Sequence, residues 1–173
     1  MPRSARPFPT VDQVLALPSR YSVVVPEEFI DGNGHMNIAR YTQLHSDGGW
    51  AYFAEIGMSE ESARAGGPTT FDVEHHIVYR REVHAGDEVS VHVRVIDRTD
   101  RALHSLQFLV NRTRGEVANT HEAVSLCVDL DTRRLSTFTD EVAGAVDAQL
   151  AVDRALDWES PLSGAMVLRS NSG

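Results

Sequence analysis

Four consecutive segments with a period of two constrain the fold of this chain more than any other feature. They are FDVEHHIVY (residues 71–79), DEVSVHVRVI (87–96), ALHSLQFLV (102–110) and EVANTHEAVSLCVDL (116–130). Alternating apolar and polar residues predict half-buried strands, and the short turns between the segments predict antiparallel pairing. An earlier β-branched segment, YSVVV, adds one strand. The sequence therefore predicts a five-stranded antiparallel sheet.

One long helix is predicted between the first strand and the other four. Apolar and aromatic residues recur at helical spacing from Ile38 to a C-cap at Gly57. Gly48 and Gly49 within it cost roughly 1 kcal/mol each relative to alanine, and close approach to a sheet would offset that cost. An antiparallel sheet wrapped around this one helix gives an α+β fold class.

The chain is expected to form one domain, since 173 residues suffice for one sizeable core. We expect an N-terminal extension with a short helix at residues 1–20, the main domain at 21–138, and a C-terminal helix and tail at 139–173. Thr10 and Thr139 are the predicted caps of the two outer helices. Residues 60–70 are predicted to be a loop, and residues 163–173 a frayed tail.

Composition narrows the classes of partner. The formal net charge of −9 and the lack of a basic stripe argue against nucleic acid. No run of ~18 apolar residues predicts a membrane span, and the first ten residues lack the apolar segment of a secretory signal. We therefore expect a cytoplasmic protein without a membrane partner. Cys127, the single cysteine, is interpreted as a buried small hydrophobe.

The candidate chemistry lies in FIDGNGHMNIARY, residues 29–41. The unpaired backbone amides at a helix N-terminus, here near Ile38, suit an anion or a developing oxyanion. Asp31 lies just upstream, and the glycines between allow a sharp turn. A carboxylate and an oxyanion hole in one loop are the minimum equipment for attack on an acyl carbonyl. The same residue types are common in turns and caps, so a purely structural interpretation stays open.

DGNGHMNIARYTQLHSD resembles the signature of hotdog-fold acyl-CoA thioesterases of the 4-hydroxybenzoyl-CoA thioesterase type, D-x-x-G-H-V-N-x-x-x-Y. The order of strand, helix and four strands also matches that fold. Within this group the sequence is most similar to thioesterases linked to carnitine breakdown, thought to act on betainyl-CoA. The matching motifs are D-x-N-G-H-M in the loop, E-x-H-I in the strand at residues 74–77, and an A-G-D turn at residues 85–87.

The resemblance implies roles for individual residues. Asp31 would be the catalytic carboxylate, either as nucleophile or as base for a water, and the amide of Ile38 would polarise the carbonyl. His35 and Asn37 would orient the loop or the water. Gly34 would permit close approach of the substrate. The implied reaction is hydrolysis of a small acyl-CoA thioester, with betainyl-CoA as the specific candidate.

Further residues are candidates for the same site. Glu74 and His76 are two residues apart on one strand face and form a second acid and base pair. Tyr41 is the tyrosine of the motif and is expected at the substrate. Trp50 and the aromatic residues after it could form a wall for a trimethylammonium group, although helix aromatics are more often core residues.

No metal and no separate cofactor is expected, because CoA is part of the implied substrate. His75 and His76 are neighbours on a strand and point to opposite faces, so they do not predict a metal site. Four arginines could meet the phosphates of CoA; they are Arg40, Arg80, Arg81 and Arg112.

Two other functions stay open. Hotdog hydratases and dehydratases carry a D-x-N-P-x-H loop, whereas His35 follows Asp31 by four residues and glycine replaces the proline. A non-catalytic acyl-CoA-binding sensor would normally bring a DNA-binding segment, which the sequence does not show. Under every reading, an exposed edge strand predicts pairing with a second copy. We expect a homodimer or a tetramer of dimers, with a CoA cleft at the subunit boundary.

Overall fold

The computed structural model describes residues 8–168. Its helices are α1 Val11–Leu15, α2 Ile38–Glu55, α3 Glu60–Arg64 and α4 Asp140–Arg154, with a short 3₁₀ helix at Glu27–Phe29. Its strands are β1 Ser19–Val24, β2 Thr69–Tyr79, β3 Glu88–Arg98, β4 Ala102–Asn111, β5 Glu116–Asp129 and β6 Arg134–Leu135. No helix in this described range is long and apolar enough to cross a bilayer.

The strands form one antiparallel sheet in the order β1-β3-β4-β5-β2, and β6 pairs with the end of β5. The long helix α2 contacts the inner face through β1, β3 and β4. The predicted α+β class and hotdog arrangement are thereby confirmed. The short strand β6 was not predicted. The predicted loop at residues 60–70 is wrong in part, because Ser59 caps the helical turn α3 by accepting from the Ser62 amide at 3.1 Å.

The glycine pair in α2 lies against the sheet, as its cost in helix stability predicts. A Cβ atom at Gly48 would lie 2.4 Å from the Cγ1 atom of Val91 on β3. At Gly49 it would lie 3.3 Å from the Nε2 atom of Gln107. The helix therefore approaches the sheet more closely than any side chain at residue 48 allows.

The helix α4 covers an edge of the sheet that no strand covers. The short strand β1 pairs with β3 only as far as His92. Beyond that point the carboxylate of Asp153 accepts from the backbone amide of Val95 at 2.7 Å, and the Arg94 guanidinium donates to the Asp153 carbonyl at 2.9 Å. Asp153 is 1% exposed. A side chain of α4 thus supplies the acceptor that a neighbouring strand would otherwise provide.

The outer face of the sheet is covered by both ends of the described chain. The predicted capping box of α1 is present, with Thr10 and Gln13 bonded reciprocally, and Val14 packs into an outer apolar cluster. The predicted frayed tail is wrong for its first part. The amide of Ser163 donates to Glu122 at 2.7 Å, and Met166 is buried. Residues 169–173 lie outside the described residues.

Candidate active site

The loop before α2 is held in one conformation by backbone hydrogen bonds. The amide of Asp31 donates to the His35 carbonyl at 3.1 Å, and the amide of Gly34 donates to the Asp31 carbonyl at 2.9 Å. Gly34 has a φ of +82°, which a side chain would disfavour. The Met36 amide then donates to Val83 at 2.7 Å, which ties the loop to the chain entering β3. Asp31 is therefore fixed relative to the start of the helix.

The carboxylate of Asp31 is oriented by two donors. The backbone amide of Asn33 donates to its Oδ1 atom at 2.8 Å, and the side-chain amide of Asn37 lies 3.4 Å from its Oδ2 atom. Asp31 is partly exposed, so a substrate can reach it. A carboxylate held in this way has a fixed orientation, unlike that of a freely rotating surface acid. The bond from the Asn33 amide is also the one that closes an Asx turn.

The first turn of α2 provides a free backbone donor next to this carboxylate. Asn37 is the N-cap: its Oδ1 atom accepts from the Ala39 amide at 2.9 Å, and its carbonyl accepts from the Arg40 amide at 2.9 Å. The amide of Ile38 has no acceptor among residues 8–168. The positive end of the helix and one unpaired N–H group thus lie one residue beyond Asn37, which suits an oxyanion.

A groove of about 310 Å³ runs beside the N-terminus of α2. His35, Ile38 and Tyr41 line one side, and the end of β2 lines the other. Burial raises the pKa of Tyr41 to about 12, so its hydroxyl stays protonated. The ring of Tyr41 meets Tyr79 edge to face, with centroids 5.2 Å apart. The structure thus places His35, Ile38 and Tyr41 in the groove lining, and Asp31, Gly34 and Asn37 in the adjoining loop outside that lining.

Glu74 and His76 are not part of this assembly. They do share a face of β2, as predicted, but they pair with Val124 and Glu122 of β5. Glu122 accepts from the tail that covers the outer face of the sheet, so this is the face opposite to α2. The structure does not bring the Glu74 and His76 side chains near Asp31.

A second concave region, about 320 Å³ in volume, lies between α2 and the inner face of the sheet. Its polar lining includes Asp72, His75, His121 and Ser125. The His75 Nε2 atom lies 3.1 Å from the Asp72 carboxylate, to which the Ser125 hydroxyl donates. The sequence pattern does not predict this cluster, since a regular strand would place residues 72 and 75 on opposite faces. Trp50 lines this cavity rather than the groove.

Two histidines beside the cavity are held neutral. Burial, opposed by hydrogen bonds to Asn119 and Gln107, lowers the pKa of His45 to about 4. Burial and repulsion from the neighbouring imidazoles lower the pKa of His121 to about 2. The His121 ring lies 4.9 Å from that of His45, centroid to centroid. Neither imidazole carries a charge at neutral pH.

Metal and thiol chemistry find little support in the described part of the chain. No group of three or more His, Cys, Asp or Glu side chains converges there as metal ligands. Burial raises the pKa of the Cys127 thiol to about 11, which keeps it protonated and unreactive. The interpretation of Cys127 as a buried core residue is confirmed.

The four arginines proposed for CoA phosphates lie in different places. Arg80 and Arg81 line the groove beside α2. Arg40, in the first turn of α2, lies over the ring of Phe29 at 4.7 Å. Arg112 pairs with a glutamate at the start of β3 and does not line the groove. Arg80 and Arg81 are thus the cations best placed for a ligand in the groove.

Comparisons with a family model and with curated protein sequences all identify thioesterases. Residues 24–146 match the family model described as the thioesterase-like superfamily. A betainyl-CoA thioesterase of Pseudomonas aeruginosa is 31% identical over 136 residues, which cover 79% of this chain and 86% of that protein. An L-carnitine dehydrogenase/betainyl-CoA thioesterase of Agrobacterium fabrum is 32% identical over 119 residues, which cover 69% of this chain and 24% of that longer protein.

Solved structures share the fold. A Staphylococcus aureus protein in complex with CoA superposes with a TM-score of 0.78 at 24% identity, covering 88% of this chain and 97% of that one. A 1,4-dihydroxy-2-naphthoyl-CoA thioesterase from Synechocystis gives a TM-score of 0.65 at 14% identity, covering 73% and 93%. At these identities the likeness concerns the arrangement of helix and sheet.

Proposed function

Because this chain belongs to the thioesterase-like superfamily and is a thioester hydrolase, we propose that it hydrolyses a small acyl-CoA thioester to the free acid and CoA. Betainyl-CoA is the specific candidate. The relative from Pseudomonas aeruginosa named for that substrate supports it. The Staphylococcus aureus neighbour in complex with CoA supports a CoA thioester in general. The reaction needs no separate cofactor, and a cytoplasmic location belongs to the same proposal.

One observation carries the proposed mechanism: an oriented carboxylate and an unpaired helix amide lie in the same loop. The Asn33 amide 2.8 Å from the Asp31 Oδ1 atom holds the acid, while the amide of Ile38 has no acceptor among the described residues. In the proposal, Asp31 either attacks the thioester carbonyl, to form a mixed anhydride that water then hydrolyses, or removes a proton from the water that attacks the carbonyl. The Ile38 amide stabilises the negative charge that develops on the carbonyl oxygen, and the thiolate of CoA leaves.

The groove and the loop beside it supply candidates for positioning the substrate. His35 and Asn37 orient the attacking group, Gly34 leaves the approach open, and the protonated hydroxyl of Tyr41 lies at the groove wall. Arg80 would meet a CoA phosphate by charge-assisted hydrogen bonds. Glu74 and His76 face away from this groove, so they have no role in the proposed mechanism.

The proposed assembly is at least a homodimer. The strand β2 is the last strand on one side of the sheet, and its apolar side chains Phe71, Val73 and Tyr79 are exposed. An unpaired edge with exposed apolar residues favours pairing with another strand. A second copy would provide that strand and would place the groove near a subunit boundary.

The test is thiol release from a panel of acyl-CoA thioesters with wild type and Asp31→Asn. The panel contains betainyl, short aliphatic, long aliphatic and hydroxybenzoyl thioesters. We expect betainyl-CoA to be hydrolysed best and the variant to lose at least about 100-fold in kcat. Glu74→Gln, on the outer face, is the matched control and is expected to keep the wild-type rate.

Three outcomes would contradict the proposal. A variant Asp31→Asn with the full rate would make Asp31 a turn residue. Loss of the conjugated absorbance of a crotonyl thioester, without thiol release from any substrate, would favour a hydratase. Binding of acyl-CoA without either reaction would favour a non-catalytic acyl-CoA-binding protein.

A further inference from the structure

The cavity between α2 and the sheet is separate from the groove beside Asp31. It is lined by α2 from Thr42 onward, by the first half of β2 and by the inner faces of β3, β4 and β5. Its volume of about 320 Å³ is at the lower end of the range for small-ligand sites, roughly 300–1,000 Å³. Its residues have no part in the reaction proposed for Asp31.

The cavity contains buried polar atoms that lack partners within the described chain. Both ring nitrogens of His121 are buried without a hydrogen bond. His121 is 3% exposed and lines the cavity. Because buried polar groups in folded proteins are almost always satisfied, these atoms point to a polar occupant.

The charges of the side chains that line the cavity indicate whether it suits an anion or a cation. Asp72 is the one acidic side chain that lines the cavity, and no lysine or arginine of the described residues lines it. The imidazoles of His45 and His121 are neutral, since burial lowers both pKa values. An anion would find no lysine or arginine there and would face the Asp72 carboxylate. A cation would find a carboxylate and neutral acceptors.

The walls of the cavity suit a cation of one particular kind. Trp50, Tyr52 and Phe53 of α2 line it together. Aromatic faces attract ammonium groups, and most strongly where water is excluded. Trp50 remains 43% exposed, so it stands where the cavity meets solvent. Aromatic walls with a single carboxylate fit an alkylated ammonium better than a strongly hydrated metal ion.

We propose that this cavity binds a small organic ammonium group, with Asp72 as its counter-charge, Trp50 and Phe53 as its walls, and His121 as the partner of an attached polar group. Trp50 lies about 18 Å further along α2 than Ile38, so this cavity is distinct from the place where the thioester carbonyl would bind. The inference therefore goes beyond the proposed thioesterase function and does not rest on it.

The binding test needs no thioester. Choline and its neutral isostere 3,3-dimethylbutan-1-ol differ only in the charged nitrogen, and each is titrated into the wild-type protein by isothermal titration calorimetry. We expect choline to bind at least about 10-fold more tightly than the isostere. Asp72→Asn and Trp50→Leu are each expected to remove most of that preference. Asp47→Asn, on α2 but outside the cavity lining, is the control and is expected to retain it.

Three results would overturn the inference. They are no detectable binding of choline to the wild type, equal affinity for the two probes, and an unchanged preference in both Asp72→Asn and Trp50→Leu. The two variants alter different walls, and Trp50 is half exposed, so poor folding of one leaves the other informative. Circular dichroism of each variant checks that it is folded.

A second comparison separates this inference from the proposed function. Asp31→Asn is expected to bind choline as the wild type does, whether or not the enzyme hydrolyses thioesters. Choline binding without any hydrolysis would refute the proposed substrate and keep the cavity as a cation site.

Discussion

Asp72 and His75 are three residues apart on β2, and yet both face α2, because the strand bulges between them. Asp72 pairs with Ser125 and His75 with Ala123, while Val73 has no partner on β5. A bulge inserts one residue and reverses which side chains point inward. The inner face of β2 therefore carries an acid and an imidazole that contact each other at 3.1 Å, and the outer face carries Glu74 and His76.

The contact between Gly48 and the sheet predicts opposite effects for two glycine substitutions. Gly48→Ala is expected to lower the free energy of unfolding by about 1–3 kcal/mol, because overpacking against the sheet outweighs the gain in helix propensity. Its Cβ atom would lie 2.4 Å from Val91, whereas a Cβ atom at Gly144 of α4 meets nothing within 4 Å. Gly144→Ala is expected to raise the free energy by up to about 1 kcal/mol. Urea denaturation measures both, and a stabilised Gly48→Ala would contradict the contact.

The two buried histidines predict that stability falls as the pH is lowered. The folded-state pKa is about 4 for His45 and about 2 for His121, below the value near 6.5 in an unfolded chain. Between these values the unfolded chain binds protons that the folded chain does not. Each histidine therefore costs on the order of 1.4 kcal/mol per pH unit as the pH falls from about 6.5 to about 4.

The measurement for this pH effect is urea denaturation at several pH values between 7.5 and 4.5. His121→Gln, which does not titrate, is expected to reduce the slope of unfolding free energy against pH by about one half. His84→Gln is the control, because His84 lies in the partly exposed turn before β3. A wild-type slope retained in His121→Gln would show that this imidazole is not the source.

The side chain of Asn37 caps α2 and also contacts Asp31, and substitutions can separate these two roles. Its Oδ1 atom caps α2 at the Ala39 amide, and its Nδ2 atom faces the Asp31 carboxylate. Asn37→Asp can still cap the helix but cannot donate to Asp31, and it places a second carboxylate beside the first. We expect repulsion between the two carboxylates to lower the free energy of unfolding by about 1 kcal/mol, and kcat to fall at least about 10-fold. Asn37→Ala is expected to lose about 1 kcal/mol as well.

These two variants are compared by thermal unfolding and by thiol release. If Asn37→Asp loses stability without losing rate, the side chain is a cap and does not orient Asp31. If both variants keep the wild-type rate, the carboxylate is held by the Asn33 amide alone. Either result would remove Asn37 from the proposed mechanism.

The exposed edge of β2 predicts a dimer, and a lysine introduced on that edge is expected to disrupt it. Val73 is 49% exposed on this edge, and Val152 is 62% exposed on α4. Val73→Lys is expected to convert the dimer to a monomer, because a charged side chain opposes strand pairing, whereas Val152→Lys is expected to leave it unchanged. Light scattering after size-exclusion chromatography gives the mass. A monomeric wild type, or a dimer that persists in Val73→Lys, would contradict the proposed interface.

Local patterns predicted most of the fold. The period of two and the helical spacing depend on neighbours in sequence, and they indicated all five main strands and α2. The pair of glycines added a long-range prediction, since the cost of Gly48 in a helix implied the contact with β3 that is observed. The loop of Asp31 was also predicted as a unit, because its glycine, cap and acid lie within seven residues.

Other features depend on contacts between distant residues and could not be predicted in this way. Ser163 and Glu122 are 41 residues apart, and no local signal in the tail indicates that it docks. The bulge in β2 cannot be predicted from the sequence either, because the apolar and polar residues of FDVEHHIVY fit an alternating strand with or without it. The choice of Glu74 and His76 as a pair near Asp31 followed from the regular register, and the cluster around His121 was missed for the same reason.

The carboxylate of Asp153, which accepts from the Val95 amide, has a consequence for hydrogen exchange. The two halves of β3 are protected on one side by different elements, the first by β1 and the second by α4. In deuterated solvent, the amide of Val95 therefore exchanges when α4 detaches. The amides paired with β1 exchange only when that strand opens. One strand would then exchange at two rates, and the slower rate would identify which covering element binds the sheet more firmly.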